Sequence, residues 1–121
     1  MMSTLSGKQA PIEKKYGSIV PFAYLVREAE GQPFSIESGT GQSTYRVVNR
    51  SNGQEVVKET DIGAGNINNT TKSITFSVTF SGNAYSKGGD FDVEVKLTFD
   101  GGAQVEFFDI PVRVTTSHRA R

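Results

Sequence analysis

The side chains that carry most biological chemistry are scarce in this chain. It has no Cys and a single His, His118, three residues from the end. Covalent attack, proton transfer and metal activation each need a nucleophile, a base or a ligand set held in place. The absence of Cys removes thiol catalysis, thiolate zinc sites and a disulfide scaffold. With one His, the usual triads have no centre. His118 lies in the basic stretch Ser117-His118-Arg119-Ala120-Arg121, where it reads as a solvated residue. The expectation is a non-enzymatic protein with no catalytic residue, no cofactor and no metal.

Three acids come nearest to a site. Asp90, Asp92 and Glu94 recur at every second residue, so on a strand they share one face and offer oxygen ligands to a hard cation such as Ca²⁺. Lys96 continues the same face, and no glycine-bearing acidic loop accompanies them, so the simpler reading is the wet side of a strand. A glycosidase needs two carboxyls set apart from the rest, and no pair is. Gly63-Ala64-Gly65-Asn66 and Gly39-Thr40-Gly41 resemble phosphate-binding loops only in composition, because neither opens a predicted helix. Asn49, Asn68 and Asn69 head glycosylation-type triplets in an Asn/Thr-rich surface. Arg119 and Arg121 form too small a basic patch to hold nucleic acid.

The totals agree. The chain has 121 residues, enough for one domain with its own core, and its 13 Lys+Arg balance its 13 Asp+Glu. A balanced chain has no global field drawing it to nucleic acid or to an anionic membrane. Its longest apolar stretch, Ile19 to Val26, is too short to span a bilayer and contains Pro21. Met1 to Lys8 has neither the charged nor the apolar segment of a secretory leader.

The elements that would position any site are strands. Between Phe91 and Phe99 the apolar residues Phe91, Val93, Val95, Leu97 and Phe99 alternate with Asp92, Glu94, Lys96 and Thr98. A strand shows alternate side chains to opposite faces, so this pattern buries one face and wets the other. Asp100-Gly101-Gly102 then turns the chain into a second run from Val105 to Val114. There the apolar parity changes from Val105 and Phe107 to Ile110, Val112 and Val114, which predicts a β-bulge near Phe108-Asp109. Pro111 predicts an edge beyond it. Ser73 to Phe80 alternates cleanly, with Ile74, Phe76, Val78 and Phe80 inward. Thr44 to Asn49 and Glu55 to Thr60 flank Ser51-Asn52-Gly53, a hairpin signal, and the charges of the second strand suit a protected edge. Asp61 to Thr71 reads as irregular, and Ser81 to Gly89 as a loop anchored by Tyr85. The aromatics Phe76, Phe80, Phe91 and Phe99 sit at strand parity and belong to the core.

Ser18 to Glu28 differs from the others. Val20, Phe22, Tyr24 and Val26 occupy one face, and Ile19, Pro21, Ala23 and Leu25 the other. A strand apolar on both faces predicts contact on both sides, the second with a partner. The division is a flexible arm at 1–10, a β-sandwich of about seven strands at 11–116 and a basic tail at 117–121.

Read end to end, residues 12–115 resemble the phage immunoglobulin-like domain found at the N-terminus of baseplate upper proteins and in related small virion proteins. The resemblance rests on Gly17-Ser18-Ile19-Val20-Pro21-Phe22 opening a strand, the turn Glu28-Ala29-Glu30-Gly31-Gln32-Pro33, the Ser51-Asn52-Gly53 hairpin and the Ser73–Phe80 strand. Gly88-Gly89-Asp90-Phe91, the Asp100-Gly101 turn and the final strand complete it. Glu28 replaces the usual Asp, and Phe91 stands where a Tyr is common. The resemblance implies an immunoglobulin-like antiparallel sandwich and an assembly role: a multicopy virion protein, made in the host cytoplasm. Its expected partners are other virion proteins of the capsid, neck or tail, with no nucleic acid and no membrane. Ile19, Pro21, Ala23, Leu25 and the edge at Pro111 are the expected docking residues. The alternative is a carbohydrate- or host-surface-binding module using the loops 38–43, 61–72 and 81–89, with Tyr85 as its exposed aromatic.

Overall fold

The computed structural model describes residues 12–26 and 34–116. The arm at 1–10, Pro11, the Glu28–Pro33 turn, His118 and the basic tail lie outside the described residues. The alternation of the sequence becomes eight strands: β1 (Ile12–Lys15), β2 (Ile19–Leu25), β3 (Thr44–Asn49), β4 (Glu55–Asp61), β5 (Ile67–Asn68), β6 (Ser73–Thr79), β7 (Gly89–Phe99) and β8 (Gln104–Thr115). They form an all-β structure of two sheets, ordered β1-β8-β7-β3-β4 and β2-β6-β5. Every strand pairing is antiparallel except β1 with β8, which run parallel from Ile12↔Val112 to Lys15↔Thr115.

The two sheets are held face to face by the residues that alternation sends inward. Val20, Phe22, Ile74, Phe76 and Val78 come from the small sheet; Val47, Phe91, Val93, Val95, Leu97, Phe99, Phe108, Ile110, Val112 and Val114 come from the large one. Rings cross the gap: Tyr45 stacks on Phe76 with centroids 4.5 Å apart, and Tyr24 meets Phe108 edge-on at 5.8 Å. Contacts of this kind add to the area term that drives the sheets together. Phe80 and Ile62 are fully buried where the strands end.

Several expectations change. The bulge near Phe108-Asp109 is absent: β7 and β8 pair without a shift from Gly89↔Val114 to Phe99↔Gln104. Phe108, Ile110, Val112 and Val114 keep one parity inward, and Val105 and Phe107 point out, 44% and 69% exposed. The apparent shift of phase came from apolar residues on the outer face. The register irregularities lie instead in β4, opposite Arg46 and between Val47 and Val48. Among the described residues there are eight strands rather than about seven because the expected irregular stretch contains β5, two residues pairing with β6.

The turns are built from glycines and asparagines. The β3–β4 hairpin closes over the four residues Arg50–Gly53, with Gly53 N donating to Asn49 O and Asn49 N to Gln54 O. Only Gly53 in that loop has positive φ, so the turn is wider than a two-residue Asn-Gly turn. Gly88 is demanded by space as well as conformation: its φ is +71°, and a Cβ there would come within 2.6 Å of the Val114 carbonyl.

Candidate functional site

Two outward surfaces carry the features that function would need. The first is the outer face of the small sheet along β2. Val20, Phe22 and Val26 are buried, while Ile19, Pro21, Ala23 and Leu25 are exposed, Ile19 at 69% and Leu25 at 51%. Their cross-strand neighbours are Thr79, Ser77, Thr75 and Ser73, so an apolar strip runs beside a row of small hydroxyls. Among the described residues, β2 is an edge of its sheet.

Backbone direction explains why proline sits in this strand. Phe80 N donates to Ser18 O at 2.9 Å and Val26 N to Lys72 O at 2.8 Å, which places the even residues of β2 in the bonded pairs. By alternation, the odd residues turn their N–H and C=O away from β6, toward the edge. Pro21 is odd. Its missing N–H therefore costs the ladder nothing and removes a donor from the edge.

Pro111 is the other expected docking residue. It lies within β8, opposite Asp92 of β7, next to the point where β1 begins to pair at Val112. It is half-buried, and β1 covers β8 only from Val112 to Thr115, so among the described residues no strand lies on the far side of Pro111. Tyr85 takes the first of its two expected roles, the loop anchor, and not the second, the exposed aromatic. It ends a short 3-10 turn, Asn83–Tyr85, and is 3% exposed, wedged between Phe80 and Phe91 at centroid distances of 5.2 and 4.8 Å. It anchors its loop and cannot present a ring to a sugar. Among the described residues, its hydroxyl is the one buried side-chain polar atom without a hydrogen bond. Burial pushes its pKa up to about 12.

The second surface is the outer face of the large sheet, where β7 lies between β3 and β8. Each of the three spaced acids meets an arginine: Asp90 with Arg113 at 2.9 Å, Asp92 with Arg50 at 2.6 Å and Glu94 with Arg46 at 2.6 Å. Arg46 also reaches Glu55 at 3.3 Å, and Lys96 lies 3.7 Å from Glu59. The hydrogen bond from Arg113 holds the Asp90 carboxyl below its usual range. Asp109 is raised, first by desolvation and then by Glu94 and Asp92. Among the described residues, no cluster of His, Asp and Glu could hold a metal ion. The acids form instead the middle rail of a charge ladder.

Within this ladder lies a shallow depression of about 320 Å³, lined by Thr44, Arg46, Glu59, Glu94, Val95, Lys96 and Phe107. Phe107 is not among the expected site residues, because the parity it shares with Val105 reads as one side of a phase change near Phe108-Asp109. A cross-strand pairing of Phe107 with Lys96 in an unbroken register was the signal that could have found it.

The remaining motifs are spent on structure. Asn49 Oδ1 accepts from Ser51 N and Oγ, Asn68 Oδ1 accepts from Thr70 N and Thr71 N, and Asn69 bonds both the N–H and the C=O of Ile36. Gly63-Ala64-Gly65-Asn66 holds one 3-10 turn, Ala64–Asn66, too short to gather an anion site. Among the described residues, no helix is long and apolar enough to cross a membrane. Comparison of the chain with family models, with curated proteins and with solved structures gave no match in any of the three.

Proposed function

We propose that this chain is a non-enzymatic structural protein of a phage virion, a multicopy immunoglobulin-like module that docks onto capsid, neck or tail proteins. The observation that carries the reading is the strip Ile19, Pro21, Ala23 and Leu25, exposed along one strand whose other side is core. Such a strip gives a partner apolar area to cover, worth roughly 25 cal/mol per Å² before the costs of association. Many copies on a particle would multiply a weak contact. The immunoglobulin-like part of the proposal is supported by the sheet orders. A small sheet β2-β6-β5 facing β8-β7-β3-β4 corresponds to the BED and GFCC′ division of such sandwiches. The sequence resemblance supplies the virion.

The test is a mass-spectrometric inventory of purified particles from cells producing the chain, repeated with Ile19→Asp and Leu25→Asp. The expected result is many copies per particle, reduced severalfold by either substitution while the free protein stays folded. Absence of the chain from particles overturns the proposal. Unchanged incorporation of both variants overturns the docking surface.

A further inference from the structure

We propose that the depression beside Phe107, on the outer face of the large sheet, is a binding site for a neutral sugar, one pyranose ring of which stacks on the Phe107 ring. This goes beyond the assembly role and uses the opposite face of the molecule from the β2 strip.

Phe107 has no part in the core. It lies within β8, 69% exposed, among outward positions occupied on β7 by Asp90, Asp92, Glu94 and Lys96. Its ring forms one wall of a hollow whose remaining lining sets Val95 among Thr44, Arg46, Glu59, Glu94 and Lys96. The volume, about 320 Å³, is at the lower end for small-molecule sites, which run from roughly 300 Å³ upward.

The polar groups are held in place but not used up. Arg46 gives Nε to Glu94 and Nη1 to Glu55. Glu59 Oε2 accepts from Thr44 Oγ1 at 2.8 Å. Among the described residues, Arg46 Nη2, Glu94 Oε2 and Glu59 Oε1 make no hydrogen bond. The site thus offers a donor and two acceptors whose side chains are already oriented by ion pairs, which lowers the entropy a ligand must supply.

Charge selects the ligand class. Arg46 and Lys96 balance Glu59 and Glu94, so the hollow has no net formal charge. A phosphate or carboxylate would face the two acids, and an amine would face the two cations. A neutral ring with an apolar C–H face and a rim of hydroxyls fits both the aromatic wall and the mixed donors and acceptors.

The test is a titration of the ¹⁵N-labelled full chain with cellohexaose, maltohexaose and the hexamer of N-acetylglucosamine, and with hexagalacturonate as the anionic comparison. At least one neutral oligosaccharide should move the amides of Arg46, Lys96 and Phe107 and leave those of Ile19 to Leu25 in place. Phe107→Ala should weaken that response roughly tenfold, and Phe107→Tyr should keep it. A melting curve of each variant separates lost binding from lost fold. The proposal is overturned if no neutral sugar shifts those amides, if Phe107→Ala binds like the parent, or if hexagalacturonate binds more tightly. None of these outcomes bears on whether the chain is found in particles.

Discussion

Tyr85 shows how little one atom needs to be misplaced before it has a thermodynamic signature. Its ring fills space between Phe80 and Phe91, yet its hydroxyl is buried with no hydrogen-bond partner among the described residues. An unsatisfied buried polar group costs on the order of 1–3 kcal/mol. Tyr85→Phe keeps the ring and removes the atom, and it should raise stability by about 1 kcal/mol at neutral pH. The same substitution should change the alkaline limb. The folded hydroxyl keeps its proton up to about 12, whereas in the unfolded chain it ionises near the ordinary tyrosine pKa of 10.0. Between those values the native state holds more protons, so stability falls as pH rises through the window. Urea melts at neutral pH and between pH 10 and 12 check both points: the parent should lose stability across the window, and the variant should lose less.

At the scale of elements, the edges of the sheets are the informative parts. β4 carries Glu55, Lys58, Glu59 and Asp61 and two register irregularities, β5 is two residues long, and β2 presents Pro21 to its open side. Each device discourages a further strand from adding. Pro21→Val restores an outward N–H in a strand already apolar on that side. It should therefore increase self-association, read as a concentration-dependent rise in weight-average mass by sedimentation, with the fold retained. Strand alternation made β3, β6 and β7 legible because their buried and wet sides differ in residue type. It failed at β8, where Val105 and Phe107 are apolar and outward, and hydrophobicity alone could not tell a bulge from an exposed ring. At Tyr85 it left two readings open, a core anchor and an exposed aromatic, since a loop aromatic reads the same whether it plugs the core or faces solvent, and burial selects the anchor. The outward turn of Ile19, Pro21, Ala23 and Leu25 was legible, because their neighbours at even positions had already claimed the core. β5 was too short to leave any pattern.

For the whole molecule, stability comes from one shared core rather than from staples or ion pairs. The arginine–carboxylate ladder is largely exposed, and such pairs contribute roughly 0–1 kcal/mol each. The fully buried side chains are therefore where the fold is vulnerable. Phe99 is buried at the end of β7, where its ring meets that of Phe34 at 5.6 Å. Phe99→Ala should cost about 3–5 kcal/mol, a large share of the 5–15 kcal/mol typical of a domain. A denaturant melt should show a lower midpoint with an unchanged slope.

The parallel pairing of β1 with β8 has a mechanical consequence. Ile12 begins one strand beside Val112, and Thr115 ends the other beside Lys15. Tension applied through residues 12 and 116 would drag these neighbours past each other lengthwise, straining their cross-links simultaneously instead of unzipping them one by one. A subunit tethered at both extremities would thus present its most tear-resistant geometry along the line of pull.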